Sequence, residues 1–276
     1  MLTRIGVFIS LLFAALNAAS LEHNNNFERS QWVEALNGEQ RSAAHAMRDS
    51  YRHPYQTLMF FGLKPSDHVI EIWPGGAGWY TEILAPLLSQ RGKLTVAHFR
   101  ADSAVEYFAR ARKNFNEKLA KHPKIYNKLA LSILQPPNDF KLAEPGSVDK
   151  VLTFRNIHNW MKSGHDNQVF DAMFAALKPG GMLGVVEHRA IVGTPLEAMI
   201  NSGYVTEQYV KQLAERSGFK FVGSSDVNGN IKDSTLHAKG VWTLPPSLRL
   251  GDYQREQYRA IGESDRMTLK FIKPKL

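Results

Sequence analysis

The stretch VIEIWPGGAGWYTEILAPLL, from Val69 to Leu88, constrains the chain more than any other. An apolar run leads into Pro74 and then Gly75, Gly76 and Gly78, and a helical apolar pattern follows at Ile83, Leu84, Leu87 and Leu88. That order reads as a buried strand, a tight turn and a helix. In an open α/β sheet such a turn lies at the carboxyl ends of the strands, where ligands bind. The glycines allow close approach of the backbone, Pro74 fixes φ ahead of the turn, and Trp73 offers a large ring to wall a pocket. Glu71, near the strand's end, can reach the turn or hold ligand hydroxyls and amines. A tight turn without a ligand would read the same way, and glycines alone do not separate the two.

The alternation continues along the chain. Strands are expected at 93–99, 129–134, 148–154, 182–187 and 219–223, with helices over 103–122, 169–177 and 207–217. Apolar strands alternating with helices imply an α/β, Rossmann-like, doubly wound and mostly parallel sheet covered on both faces. GVWTL (Gly240–Leu244) and MTLKFI (Met267–Ile272) are further strand candidates, and a late strand returning antiparallel at the sheet edge accommodates this ending.

The 276 residues carry a net charge of +8 that is spread along the chain. Its densest spot, Arg110–Lys113 with Lys118, Lys121, Lys124 and Lys128, has the spacing of a solvated helix face, so no nucleic-acid partner is expected. The lack of cysteine excludes disulfides, thiolate metal sites and cysteine nucleophiles. The first twenty residues combine one cation, Arg4, an apolar run from Ile5 to Ala15, and small residues up to Ser20. This is the form of a secretory signal, and the run is short of the ~20 apolar residues of a membrane span. The expected organisation is a signal peptide at 1–20, an N-terminal helical extension at 21–56, and a main domain at 57–276 with an insertion around 224–266. A working signal implies a periplasmic or secreted protein with no stable membrane insertion after its removal; otherwise the protein is cytoplasmic.

Three clusters carry candidate chemistry. Nucleoside binders hold the ribose diol with an acid at the end of the second strand, but here TVAHFRAD places His98 there, with Asp102 four residues on. Asp102 either takes the ribose role or caps the following helix beside Ser103. FRNIHNW places Arg155, Asn156, His158, Asn159 and Trp160 just past a buried strand. His158 suits a general base, Asn156 an acceptor-orienting group, and Trp160 a stacking surface; a histidine that merely fixes the loop is the alternative. VVEHRA brings Glu187, His188 and Arg189 out of the fifth strand, with a pocket role or a Glu187–Arg189 pair as the two readings. His158, His188 and Glu187 could together hold a metal, but ligands scattered over two strands are a weak basis and no metal is assigned.

VIEIWPGGAGWYTEILAPLL, GKLTVAHF, VDKVLTFRNIHNW and ALKPGGMLGVVEHR stand in the order and spacing of a class I S-adenosylmethionine-dependent methyltransferase, which the chain resembles over about Met59 to Val222. It is also similar, nearly from His53 to the end, to a group of predicted bacterial methyltransferases with an export signal that share WPGG, WYTEILAP, GVVEHR and GVWTLPPSLRLGD. The resemblance implies a seven-stranded sheet with the last strand antiparallel, S-adenosyl-L-methionine as cofactor, and methyl transfer to a small-molecule substrate. It places Glu71, Gly75, Gly76 and Gly78 in the cofactor loop with Trp73, puts the ribose-binding acid at His98 with Asp102 nearby, and sets the adenine beside the loop from Gln135 to Asp139. His158 and Asn156 are then the catalytic candidates, and Trp160, Glu187, His188 and Arg189 the substrate candidates. Trp73, Ala77 and His98 depart from the superfamily pattern. Export also separates the protein from a cofactor made in the cytoplasm, so the rival expectations are an exported ligand-binding protein without this chemistry and a metal-dependent enzyme on the same scaffold.

Overall fold

The computed structural model describes residues 29–275; the expected signal at 1–20 lies outside them. Helices α1 (29–37), α2 (Ala43–Ala46), α3 (Asp49–Arg52) and α4 (Pro54–Phe60) precede the first strand. Then follow β1 (His68–Ile72), α5 (Thr81–Leu88), β2 (Lys93–His98), α6 (Glu106–Lys121), α7 (Pro123–Tyr126), β3 (Ala130–Ile133) and β4 (Val148–Phe154). The second half runs α8 (Ile157–Ser163), α9 (Asp166–Ala176), β5 (Leu177–His188), α10 (Leu196–Ser202), α11 (Glu207–Arg216), β6 (Lys220–Ser225), α12 (Arg255–Ile261) and β7 (Arg266–Ile272).

The seven strands form one sheet in the order β3-β2-β1-β4-β5-β7-β6. Pairing is parallel from β3 through β5, and β7 runs antiparallel to both of its neighbours. Strand alternation sorts the core into two layers. Ile70, Ile72, Val151, Leu183 and Val185 face α8, α9 and α11 through Trp160, Phe170, Met173 and Leu213. Val69, Leu94, Val96, Leu152 and Val186 face α4 and α5 through Leu58, Ile83, Leu84 and Leu87. Parallel strands covered on both faces explain why β1 is apolar at successive positions rather than at every second one. Glu71 shares the parity of Val69 and so points toward the α5 side.

Helix ends follow local chemistry. Pro54 opens α4 at its first turn, the Thr206 hydroxyl accepts from the Tyr209 N–H to cap α11, and Gly164 at φ 71° closes α8. The N-terminal helices are fastened by buried charge. Glu82 on α5 faces Lys118, His45 (2.8 Å) and Arg41 (3.8 Å), and the Trp79 indole donates to the His45 carbonyl at 3.1 Å.

Several sequence expectations are corrected. The antiparallel strand β7 lies one place in from the edge, because RMTLKFI is buried at most positions while KFVGSS of β6 is largely exposed and suits the rim. GVWTL is not a strand: Gly240–Thr243 form a 3-10 helix, since Gly240 sits at φ 54° with the Ser202 carbonyl 2.0 Å from where a Cβ would stand. That close approach packs the segment onto α10 instead of a sheet. KPGG belongs to β5, which begins at Leu177, and the loop expected after β4 winds into α8 because Ile157, Trp160 and Met161 bury one face. Helices α10 and α12 have no counterpart in the sequence expectation.

Gly184 lies mid-strand in β5, where a Cβ would meet Leu152 and the Phe61 ring at 2.8 Å. Gly184→Ala should therefore cost about 1–3 kcal/mol by overpacking, read as a lower urea midpoint at unchanged slope.

Candidate active site

β1 and β4 are neighbours at the centre of the sheet, and both end the same way. The Trp73 N–H donates to the Ala97 carbonyl (2.9 Å) and the Arg155 N–H to the Val186 carbonyl (2.7 Å), each adding one bond to its parallel ladder. Each residue then turns left-handed, Trp73 at φ 44° and Arg155 at φ 63°. For non-glycine residues this costs on the order of 1 kcal/mol or more and persists only where the surroundings enforce it. Asn156 secures the pair: its Nδ2 donates to the Ile72 carbonyl (2.9 Å) and to Thr153 Oγ1 (3.2 Å). Above these ends lies a cleft of about 1180 Å³, lined by Glu71, Trp73, Gly75, Phe99, Asn156, His158 and His188 together with Trp242 and Glu263 from the C-terminal segment.

The glycines of the turn do different work. Gly75, at φ 68°, lines the cleft and has open space where a Cβ would be. Gly76 packs against Ala111 and Asn114 of α6, and Gly78 against Phe115, so these two let helix and turn approach each other. Trp73 donates its indole N–H to the Leu134 carbonyl at 2.8 Å and packs on Phe99, Phe108 and Trp160. With Tyr107 these rings give the cleft an aromatic wall next to the turn. Glu71 also lines the cleft. Burial pushes its carboxyl up to about 8, against the lowering effect of the Thr81 hydroxyl that donates to it at 2.6 Å, so it is protonated at neutral pH.

His98 occupies the end of β2, fully buried, and both its nitrogens are used. Nδ1 accepts from the Phe99 N–H at 2.8 Å, which leaves the proton on Nε2, facing the Gly75 carbonyl at 3.3 Å. Burial lowers its pKa to about 4. The ring thus ties the glycine turn to β2 as a neutral group. Asp102 is exposed and pairs with Arg100 at 2.9 Å, so it neither caps α6 nor lines the cleft. Gln135 of the expected adenine loop accepts from the Arg100 N–H at 3.0 Å.

At the opposite wall, Glu187 is fully buried at the end of β5. It accepts from the Ile157 N–H (2.7 Å), the His188 N–H (2.9 Å) and His158 Nδ1 (3.1 Å). With Nδ1 donating, His158 keeps its lone pair on Nε2. His188 stands 5.4 Å from His158 between ring centres and meets Ser264 Oγ at 2.5 Å. Burial first, with the Arg155, Arg266 and Arg52 guanidiniums adding to it, holds its pKa well below the usual histidine range, so it is neutral. The ligand atoms of His158, Glu187 and His188 lie within 4.8 Å of one another, but the Glu187 oxygens are already engaged by three donors.

Of the expected substrate residues, His188 lines the cleft. Trp160 is fully buried beneath Trp73, and Glu187 is fully buried behind His158, to which it is hydrogen-bonded. Arg189 pairs with Asp265 through two bonds (2.8 and 3.0 Å) and with Asp226 (2.7 Å), not with Glu187. The sequence reading missed Arg48 and Arg52 on the cleft wall, which meet Glu263 at 2.6 and 3.1 Å; Arg266 reaches the same carboxylate at 2.6 Å. Burial alone would raise the Glu263 pKa, but Arg266, Arg52 and Arg48 outweigh it and hold the carboxyl at about 2.

No protein-family model and no curated protein matches the sequence. Solved structures do match. A SAM-dependent methyltransferase from Aquifex aeolicus is 14% identical with a TM-score of 0.53, over 82% of this chain and 92% of that one. The [4+2]-cyclase SpnF is 13% identical with a TM-score of 0.56, over 87% and 86%. Human N-acetylserotonin methyltransferase in complex with SAM is 13% identical with a TM-score of 0.50, over 84% and 54%. The chain therefore shares a Rossmann-like fold with these proteins, two of which are methyltransferases.

The linkage at His98 is testable. Its folded-state pKa, about 4, lies below the ordinary 6.5, so the unfolded chain takes up the proton first. The stability contribution is full above pH 6.5 and falls by ~3 kcal/mol as pH drops toward 4. In urea titrations across that window, His98→Gln should flatten this part of the pH dependence.

Proposed function

We infer that the protein transfers a methyl group from S-adenosylmethionine to a small-molecule acceptor. The observation that carries this reading is one cleft that joins the Gly75 turn and its aromatic wall to the Glu187–His158 pair. The residues fit a nucleoside-bearing donor in part. Gly75 admits close approach, the Trp73, Phe99 and Phe108 wall suits a purine face, and Glu71 offers a carboxyl to polar groups. The His98–Gly75 link replaces the acid that usually holds a ribose diol, so donor binding rests more on stacking and the turn than on that contact. S-adenosylmethionine, when bound, would supply an electrophilic methyl group on sulfur.

The chain's own contribution is positioning and proton removal. Glu187 fixes the His158 ring and its tautomer, and Nε2 is the atom that accepts a proton from a hydroxyl or amine acceptor. Asn156, next to it, holds the ends of β1 and β4 in register so that turn and base keep their separation. His188, kept neutral, lets a second imidazole stand close by without adding charge. Export through residues 1–20 belongs to the same reading; a fusion of those residues to a periplasm-dependent reporter tests it, and a silent reporter removes export while leaving the chemistry.

A second reading has an observation of its own. Because His98 is committed to the fold and Asp102 pairs with Arg100 outside the cleft, the cleft could serve a ligand other than this donor, and one fold neighbour is a cyclase. Calorimetry with S-adenosylmethionine and its demethylated product separates the two. Binding at micromolar to sub-millimolar ligand is expected, abolished by Gly75→Val; no heat at millimolar ligand would exclude methyl transfer. His158→Ala should lower kcat by ~10²–10⁴-fold while donor affinity stays within about twofold.

A further inference from the structure

The cleft wall beside His188 holds an unbalanced buried charge. Arg48, Arg52 and Arg266 converge on the single carboxylate of Glu263, and Arg155, which turns left-handed at the end of β4, lies within reach of the same charges. Glu71, the other acid on this side, is protonated and offsets nothing. Four guanidinium groups therefore face one negative charge. Two of their buried nitrogens, Arg48 Nη2 and Arg155 Nη1, have no hydrogen-bond partner among the described residues. Leaving charged donors buried and unpaired is costly, and a guanidinium fork matches an oxyanion in two-point geometry. Arg48, Arg52, Arg155 and Glu263 all line the cleft.

We propose that this arginine cluster is an oxyanion subsite and that the methyl acceptor carries a carboxylate or phosphate group that docks there. The inference rests on the methyl-transfer reading and narrows it. Place decides for the acceptor over the donor. The cluster borders His188, which meets Ser264 next to Glu263 and whose ring neighbours His158. An anion held there sets the rest of an acceptor against the proton-accepting Nε2. Glu263 keeps three of the arginines aimed at one point, so the subsite is already formed in the folded chain.

The test is calorimetry on the full chain saturated with S-adenosylhomocysteine, using 4-hydroxybenzoate, inorganic phosphate and the neutral 4-hydroxybenzyl alcohol as probes. Both anions should bind at least ~10-fold tighter than the alcohol and weaken with added salt. Arg155→Gln and Arg48→Gln should each weaken anion binding ~10-fold or more and leave S-adenosylhomocysteine affinity within about twofold. Arg48, with its side chain 22% exposed, is the variant less prone to misfold, and Arg155→Lys should restore part of the affinity. Anions that bind no better than the alcohol overturn the proposal. So do variants that weaken S-adenosylhomocysteine but not 5′-methylthioadenosine, which lacks the amino-acid carboxylate, because the arginines would then serve the donor. A chain that binds the anions but neither S-adenosylmethionine nor its product loses the methyl-transfer reading and keeps the oxyanion subsite.

Discussion

Between β1 and β4 the order of the sheet reverses: β2 and β3 lie on one side, β5, β7 and β6 on the other. The chain leaving β1 enters α5 on one face of the sheet, and the chain leaving β4 enters α8 on the opposite face. A crevice must open where two adjacent strands send their connections apart. Here the divergence is sharpened by left-handed turns at Trp73 and Arg155, residues with no intrinsic preference for that conformation. Trp73 is held by its indole bond to Leu134 and by three neighbouring rings, and Arg155 by its backbone bond to Val186. Packing thus enforces the strain, and the strained residues line the space that the strain creates.

Charge is distributed around that space in an unusual way. A carboxylate at the end of β2 would be costly to bury without a ligand or donors, and a neutral histidine with both nitrogens engaged avoids the cost. Glu71 avoids it by staying protonated, held by Thr81. The other buried carboxyls near the cleft, Glu187 and Glu263, are surrounded by donors instead. Positive charge is treated differently: three arginines share the one carboxylate of Glu263, and Arg155 stands near them. The side of the cleft next to the glycine turn is neutral and aromatic, and the side next to the histidines is cationic.

The sheet was legible in the sequence because each central strand is buried on both faces and must be apolar throughout, a pattern that few exposed segments mimic. Position β7 failed that logic only in detail: the same apolar richness that marks MTLKFI as a strand is what places it inside rather than at the rim. The dyad was half legible. HNW and VEH announced polar groups at strand ends, but only the fold reveals that Glu187 serves His158 and that Arg189 turns to Asp265 and Asp226. GVWTL misled because its β-branched and aromatic residues carry strand propensity, while the contact of Gly240 with Ser202 overrides it. His98 was seen as an anomaly, yet its role depends on a backbone carbonyl 23 residues away, which no local pattern encodes.

The arginine cluster was illegible for the same reason in stronger form. Arg48 and Glu263 are 215 residues apart in sequence and 2.6 Å apart in space. Arg48 and Arg52 flank and end α3 in the N-terminal extension, while Glu263 lies near the end of the segment between β6 and β7 and Arg266 opens β7. Each alone reads as ordinary surface charge. Brought together, they make the extension and the C-terminal segment two halves of one wall of the cleft, joined through ion pairs. The extension is also fastened to α5 through Glu82 and Trp79, immediately after the glycine turn. Movement of the N-terminal helices would therefore disturb the turn and the cationic wall at once, which couples the two sides of the cleft through a segment that contributes no strand to the sheet.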